Sequence, residues 1–493
     1  MSSRVTLGGR GNDARSTVSG MTDMSTFSTI GETKIDEQTY NADPRFSTTF
    51  DLPDTEEFIT YTTEAGCDFK IIQQATVEKC VQTIMSKDFN DGYFNECFVL
   101  AYKLVTSPDR LIELLDILFN PAVPEGMQWD EFAKNYIMPL RLKIMNFVRI
   151  WMRNARSDFE GNDEMIDKLQ QLVDRFAQFN PTFGKNLQKL LQSIIAHSNT
   201  SVSVSDMDAR PPIKIAKQNP KYINALQFHP NEFAKQITVM QNDLFRKIPY
   251  TEFLGNGWTK KNKDELTPHM MALVRTSQQL FAYVQTTILC ENRVEYRALL
   301  IHYFLTVAQK MKDLGNFEGM KAVYGALQST PIYRLRDSWD SITEEDKQID
   351  QAMTELCDQQ KNFARLREVM KIAVAPCIPY LGSTMSDLVF TEDGNKTGKN
   401  DLVNFFKVRQ IGNLIKEIIV KQAVDYPFGK YEEFLTYYKN APKMESEEEL
   451  YELSMNLEKK RGPADKELQK KIAKLEKEGH ARIKKYHKFL SAK

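Results

Sequence analysis

The sequence predicts an all-α protein of two helical domains. Apolar residues recur at intervals of three and four through most of the chain, as they do on the buried face of a helix. Sustained alternation of apolar and polar residues, which would indicate strands, is hard to find. The 493 residues exceed one ordinary domain, and a composition of 42% hydrophobic and 27% charged residues is typical of globular proteins.

The amino-terminal segment has a different composition. Residues 1–50 contain 16 serines or threonines and show no apolar periodicity. Such a segment cannot bury enough surface to offset its chain entropy, so we expect a disordered tail. Its role is either that of a phosphorylation platform or that of a passive leader.

Helical patterns over residues 51–197 predict the first domain. The clearest helix follows Ser107, a good N-cap residue, and Pro108, which suits a first turn. Its leucines form one stripe: Leu111, Leu114, Leu115 and Leu118. The segments 138–152 and 166–179 are similarly amphipathic.

A Ser- and Pro-rich stretch, residues 198–222, lacks a helical stripe and predicts a linker. The helical pattern then resumes and predicts a second domain over 223–460. One of its helices carries apolar residues from Phe233 to Ile248, and another opens at Thr267-Pro268. We expect Asp401 to cap a third helix.

The last 33 residues, 461–493, predict a basic amphipathic helix. They hold 11 Lys or Arg against 4 Asp or Glu, a local excess of +7. Three interpretations stay open: a terminal helix that is solvated or packs back on the protein, a coiled-coil strand weakened by Gly479, or a surface for anionic lipid.

The sequence offers no candidate for bond-making chemistry. We find no P-loop, HExxH, GxSxG or kinase motif set, and no two of the six histidines have the spacing of metal ligands. His302 lies in the apolar run ALLIHYFL, which favours a hydrogen-bonded core residue over a ligand. We therefore expect no metal and no cofactor.

Charge and hydropathy limit the partners and the location. The formal net charge of −1 argues against a protein whose main task is to coat nucleic acid. The amino terminus has no apolar core of a signal peptide, and no stretch approaches the roughly 18 apolar residues of a membrane span. We expect a cytoplasmic protein.

Three segments in order resemble the signature regions of the catalytic domain of Ras-family guanine-nucleotide exchange factors. They are Asn231–Lys260, with its Leu-Phe-Arg triplet and final Trp-Thr-Lys; Asn316–Trp339, with Ile-Tyr-Arg-Leu; and Ala375–Asn395, followed by Leu402–Ile418. The resemblance covers roughly residues 223–460. In the first domain, Phe94–Asn120 is similar to the Ras exchanger motif, a helical domain that commonly precedes the catalytic one.

The resemblance implies a helical hairpin that protrudes from the second domain. It would run from about Pro379 to Val420, with its turn around 391–400. In the family, an apolar residue of the inserted helix enters the magnesium site and a nearby acid competes for the P-loop. By position these are Val389 and Asp393, where Asp393 replaces the usual Glu and adjacent Glu392 could compensate.

The resemblance also implies docking and supporting residues. The GTPase-binding candidates are Val274, Arg275, Tyr380, Ser386 and Asp387. The candidates for supporting the hairpin are Gln328, Tyr333, Arg334 and Trp258, of which the last three fit core packing at least as well. In the second hairpin helix, Asn404, Phe405, Lys407 and Arg409 match by position, and the two cations face either a partner or solvent.

The implied function is to promote GDP release from a Ras, Rap or Ral type of GTPase without covalent chemistry, so the chain is not an enzyme in the bond-making sense. The alternative is a non-catalytic adaptor that keeps the exchanger fold. It is favoured by three departures from the family pattern: Asp393, Gln328 and Lys396. A lipid-surface scaffold ranks third, although the tail 461–493 would also recruit an exchanger to the membrane.

Overall fold

The computed structural model describes residues 35–63, 69–197, 225–360, 362–394, 402–458, 474 and 477–481. The predicted linker 198–222 lies outside the described residues. Most of the described chain is helical, which confirms the predicted all-α class.

The first domain begins with α1 (Phe46–Phe50), α2 (Val77–Met85), α3 (Gly92–Ala101) and α4 (Pro108–Phe119). It continues with α5 (Trp129–Glu131), α6 (Met138–Asn154), α7 (Asp163–Phe179) and α8 (Pro181–His197). The predicted cap of α4 is confirmed, because the Ser107 side chain accepts a hydrogen bond from the backbone N–H of Arg110 at 3.1 Å and Pro108 opens the helix.

The second domain starts with α9 (Pro230–Phe245), α10 (Lys263–Leu266), α11 (Pro268–Leu289), α12 (Val294–Asp313), α13 (Phe317–Leu327), α14 (Thr330–Tyr333) and α15 (Arg336–Asp340). It ends with α16 (Glu344–Leu356), α17 (Ala364–Ile372), α18 (Leu381–Gly394), α19 (Phe405–Gln422), α20 (Glu432–Asn440) and α21 (Glu447–Leu457). Helix α19 is capped by Asn404, whose side chain accepts from Lys407 N at 2.9 Å. The predicted cap, Asp401, lies outside the described residues.

A small antiparallel sheet, which the sequence did not predict, joins the two domains. Its strands are β1 (Ile59–Thr62), β2 (Ile71–Ala75) and β3 (Val403–Asn404), in the order β1-β2-β3. Ala75 pairs with Val403 directly before α19 begins. The strands escaped detection because they are two to five residues long and because β3 pairs with β2 across more than 300 residues of sequence.

The predicted disordered tail is wrong for residues 35–50. Tyr40 lies against the rings of Trp129 and Phe132, at centroid distances of 5.3 and 5.7 Å, and its hydroxyl donates to the Pro121 carbonyl at 2.6 Å. Phe50, in α1, is 2% exposed. These aromatic residues anchor the segment despite its Ser/Thr-rich composition, whereas residues 1–34 lie outside the described residues.

Two hydrophobic cores hold the described part of the molecule together. One core lies within the second domain, around the rings of Phe233, Tyr283 and Phe434. The other fills the first domain and continues without a break into the second domain, so that Phe98 and Phe405 lie 6.0 Å apart. The two domains are therefore not independent bodies, because they share this core and the sheet.

The described part of the carboxyl-terminal segment packs back on the second domain. Gly479 is buried, and a Cβ at this position would lie 2.6 Å from the Ser341 carbonyl oxygen. The His480 ring nitrogen Nε2 contacts the Ile342 carbonyl oxygen. Residues 477–481 therefore agree with the interpretation that the tail packs back on the protein. Apart from Lys474, the rest of 461–493 lies outside the described residues.

Candidate functional site

The predicted hairpin is present as two helices, α18 and α19, that pack against each other. Residues 395–401, which contain Lys396 and most of the predicted turn, lie outside the described residues. Near the turn, the Lys407 ammonium group reaches back to the Glu392 carbonyl oxygen at 3.3 Å. This contact places Lys407 between the two hairpin helices.

The end of α18 next to the turn presents one apolar ring and one carboxylate. Phe390 is 68% exposed, and Asp393 is exposed at the end of the helix. Val389 is half-buried and packs against the shared core, and Glu392 is half-buried. Sequence reasoning missed Phe390, although a large apolar residue next to a polar turn was a signal available in the sequence.

Helix α19 is anchored on α3 of the first domain. Gly412 permits the close approach, because a Cβ there would lie 2.6 Å from the Cys97 carbonyl carbon. Arg409 pairs with Asp91, and the two side chains are 13% and 3% exposed. Arg409 therefore faces the first domain, which answers the question that the sequence left open.

A second brace holds α18 from the side of α17. The Arg367 guanidinium pairs with the Asp387 carboxylate and also donates to the Ser383 carbonyl at 3.3 Å. Asp387, a GTPase-binding candidate, is thus engaged within the chain. The Ser386 hydroxyl, another candidate, donates to the Gly382 carbonyl at 2.9 Å within its own helix.

A groove of about 870 Å³ runs beside the hairpin and brings together the other three GTPase-binding candidates, Val274, Arg275 and Tyr380. Its apolar wall also includes Phe281, Met385, Met444 and Leu450. The groove is therefore an apolar surface on the second domain that borders directly on α18.

Charged groups surround this groove. Arg275 is exposed and pairs with Asp264. Lys321, Glu445 and Glu447 also line the groove. We expect a partner that fills the groove to meet both signs of charge around an apolar centre.

Two of the candidates for supporting the hairpin, Gln328 and Arg334, form hydrogen bonds in other parts of the second domain. Gln328 donates to Tyr324 Oη at 3.0 Å and to Asp350 Oδ1 at 2.9 Å, which ties α13 to α16. Arg334 donates to the carbonyl of Ser454, a residue of α21, at 2.6 Å. Among the described residues, neither side chain has a hydrogen bond to the hairpin.

The two aromatic candidates differ in burial. Tyr333 is 47% exposed, and the Arg336 guanidinium lies over its ring at 4.7 Å. Trp258 is 8% exposed and belongs to the core that also contains Phe405 of α19. Trp258 is therefore the one candidate of this group that shares a core with the hairpin in the described part of the chain.

The described residues contain no group of three or more His, Cys, Asp or Glu side chains placed to hold a metal ion. Within the same residues, no helix has the length and apolar character to cross a membrane. His302 is a hydrogen-bonded core residue, as predicted, with its Nδ1 2.6 Å from Asp346 Oδ1.

Comparisons with known proteins agree with this architecture. Residues 71–172 match the RasGEF N-terminal motif, and residues 232–409 match the RasGEF domain. The resemblance to Ras-family exchange factors is thereby confirmed: the chain carries the N-terminal motif followed by the RasGEF domain.

Similar proteins come from distant organisms. Cell division control protein 25 of Saccharomyces cerevisiae is 25% identical over 427 residues, which is 79% of this chain and 27% of that protein. Protein son of sevenless of Drosophila melanogaster is 23% identical over 78% of this chain and 26% of its own length. Human Ras-specific guanine nucleotide-releasing factor 1 is 28% identical over 64% of this chain and 25% of its own length. The chain therefore spans about a quarter of the length of these relatives.

Proposed function

We propose that this chain is a guanine-nucleotide exchange factor that promotes GDP release from a Ras-subfamily GTPase by inserting the hairpin α18–α19 into the nucleotide site. The observation that carries the proposal is the construction of the hairpin. Helix α19 is fixed near the turn by α3, and α18 is fixed at its middle by α17, whereas the end of α18 next to the turn presents Phe390 and Asp393 to solvent.

An element inserted into the nucleotide site is a physical means of speeding nucleotide release. A GTPase that binds its nucleotide at about 1 pM stabilises the complex by about 16 kcal/mol. With an association rate of about 10⁶ M⁻¹s⁻¹, spontaneous release takes days. A protein that binds the nucleotide-free state more tightly than the loaded state speeds release without breaking a covalent bond, and nucleotide must then weaken its binding by the same factor.

In this proposal each residue near the far end of α18 has a distinct role. Val389 places methyl groups where the magnesium ion sat, and Phe390 adds an exposed apolar ring beside it. The carboxylate of Asp393, helped by Glu392, accepts hydrogen bonds that the phosphate or a metal-ligating hydroxyl otherwise occupies. The groove around Val274 and Tyr380 receives the mobile switch segment of the GTPase.

Complex formation with and without nucleotide tests the proposal. The full chain is mixed with Ras-, Rap- and Ral-type proteins, each nucleotide-free or loaded with GDP, and complexes are separated by gel filtration. We expect a stable complex with one nucleotide-free GTPase and its dissociation when GDP is added. Equal binding of the loaded and empty forms would instead identify the adaptor.

The partner type and the location are parts of the same proposal. We infer a Ras, Rap or Ral type of GTPase and a cytoplasmic protein that residues 461–493 recruit to anionic membranes, because their excess charge of +7 favours acidic headgroups. Sedimentation with phosphatidylserine vesicles tests this. Binding of the full chain that is lost when the chain ends at residue 460 supports recruitment, and binding that is unchanged by the truncation contradicts it.

A further inference from the structure

The buried carboxyl group of Glu318 lies where α13, α11 and the base of the hairpin meet. Glu318 belongs to α13 and is 6% exposed. Its Oε2 accepts a hydrogen bond from the backbone N–H of Leu381, the first residue of α18, at 2.9 Å. The nearby Ser277 side chain of α11 partly offsets the rise that burial causes in the pKa of this carboxyl group. Glu318 and Leu381 both line the groove.

The carboxyl group serves α18 as a cap supplied by another helix. The first N–H groups of a helix have no partner within it, and the helix dipole favours a negative charge there. Tyr380, which precedes α18, has no side chain of the usual capping types. No Lys, Arg or His of the described residues forms an ion pair with Glu318, and burial raises the pKa of its carboxyl group.

A buried polar network fixes the position of this cap. The Ser277 hydroxyl accepts from the Gln241 amide at 3.2 Å, and Gln241 Oε1 accepts from Asn316 Nδ2 at 2.8 Å. Asn316 in turn caps α13, because its Oδ1 accepts from the Gly319 N–H at 2.8 Å. Residues from α9, α11 and α13 therefore hold the carboxyl group in one orientation.

We propose that Glu318 is a positioning residue that fixes the first turn of α18 against the wall of the groove, so that a partner seated in the groove meets the hairpin at one defined angle. This inference rests on the proposed function. The GTPase need not touch Glu318 for the effect to arise, because the carboxyl group acts through Leu381.

The test uses the full chain as wild type, Glu318→Gln and Glu318→Ala, with Asn162→Ala as the control. Gln keeps an acceptor oxygen at this position, whereas Ala removes it. Asn162 caps α7 in the first domain, where its side chain accepts from Met165 N at 3.1 Å, so its loss costs stability away from the groove. Release of fluorescent GDP is measured against GTPase concentration, and hydrogen–deuterium exchange is measured over residues 381–394.

We expect Glu318→Ala to lower kcat about tenfold, within the range for the loss of one buried hydrogen bond, with KM within about twofold. Glu318→Gln should restore most of the rate. The amides of the first turn of α18 should exchange faster in Glu318→Ala alone. Asn162→Ala should keep the wild-type kcat although its melting temperature falls.

Three results would overturn the inference. They are an unchanged kcat in Glu318→Ala, a loss confined to KM, and an equal loss of kcat in Asn162→Ala at a matched fall in melting temperature. If the wild type releases nucleotide from none of the GTPases, the proposed function fails by itself. The hydrogen exchange of α18 then still decides whether Glu318 positions this helix.

Discussion

Asp158 joins the two domains through one buried carboxylate. Its side chain is fully buried and accepts from Tyr102 Oη at 2.7 Å, Trp151 Nε1 at 2.9 Å and Tyr250 Oη at 2.5 Å, and Lys103 Nζ lies 2.5 Å away. Tyr250 belongs to the second domain, and the other partners belong to the first. Asp158→Ala should lower the free energy of unfolding by about 3 kcal/mol, because it leaves several buried donors without an acceptor. Urea denaturation measures this loss.

The control for this prediction is Asp109→Ala. Asp109 pairs with Lys168 at 2.6 Å, but its side chain is 64% exposed. An exposed pair contributes little, so the urea midpoint should stay at the wild-type value. Equal midpoints for the Asp158 and Asp109 variants would show that the buried carboxylate does not hold the domains together.

The pair His302–Asp346 makes stability depend on pH. Burial alone would raise the pKa of Asp346, but the hydrogen bond and charge of His302, together with hydrogen bonds from Thr343, outweigh burial, and the pKa is lowered. A lowered carboxyl pKa contributes stability that is present above the unfolded value of about 4 and is lost as the pH falls below it. Urea midpoints of wild type and Asp346→Asn should therefore differ at pH 7 and converge toward pH 3. A constant difference would contradict this role.

The sequence predicts the surroundings of some residues better than those of others. The apolar run around His302 sufficed to predict a core residue, because its neighbours in sequence are also its neighbours in the helix. The direction of Arg409 was not predictable, because its partner Asp91 lies 318 residues away. Val389 and Asp393 were assigned by resemblance alone, and their roles stay predictions.

At the scale of elements, the contact between α3 and α19 depends on Gly412. A methyl group at this position would clash with the backbone of Cys97, and a backbone moves aside less readily than a flexible side chain. Gly412→Ala should therefore separate the helices and lower the free energy of unfolding by about 1–3 kcal/mol, the usual cost of overpacking. Urea denaturation measures this loss.

The matched control is Gly92→Ala in α3, where an added Cβ meets nothing within 4 Å. Gly92→Ala should leave stability unchanged or raise it slightly, because alanine has the higher helix propensity. A Gly412→Ala protein as stable as the Gly92→Ala protein would show that the two helices tolerate a wider separation.

Helices with local signals were predictable, whereas elements that depend on distant partners were not. Ser107, Pro108 and the leucine stripe all belong to α4 itself, so the sequence contains the whole signal. Strand β3 has two residues and exists because β2 pairs with it. The segment 35–50 was missed because its composition, averaged with that of residues 1–34, concealed the few aromatic residues that anchor it.

At the scale of the whole molecule, Glu458 fastens the end of the second domain. Its carboxylate pairs with Arg297 at 2.9 Å, with side chains 4% and 0% exposed, and accepts from Asp337 N at 2.8 Å and Ser338 Oγ at 2.6 Å. A chain ending at residue 457 should lose about 3–5 kcal/mol of stability relative to one ending at 460, because the buried Arg297 charge loses its carboxylate partner and keeps only neutral hydrogen-bond acceptors. Thermal unfolding of the two truncated chains measures the difference, and equal melting temperatures would contradict it.

The rate of fluorescent GDP release is the most direct test of a hairpin that opens another protein's nucleotide site. The wild-type chain should accelerate release from a Ras-, Rap- or Ral-type GTPase. The double variant Val389→Ala/Asp393→Ala should return the rate to the spontaneous value with only a small fall in melting temperature, because Val389 is half-buried against the shared core. Release by the double variant at the wild-type rate would contradict the account, and loss of its fold would assign both residues a structural role.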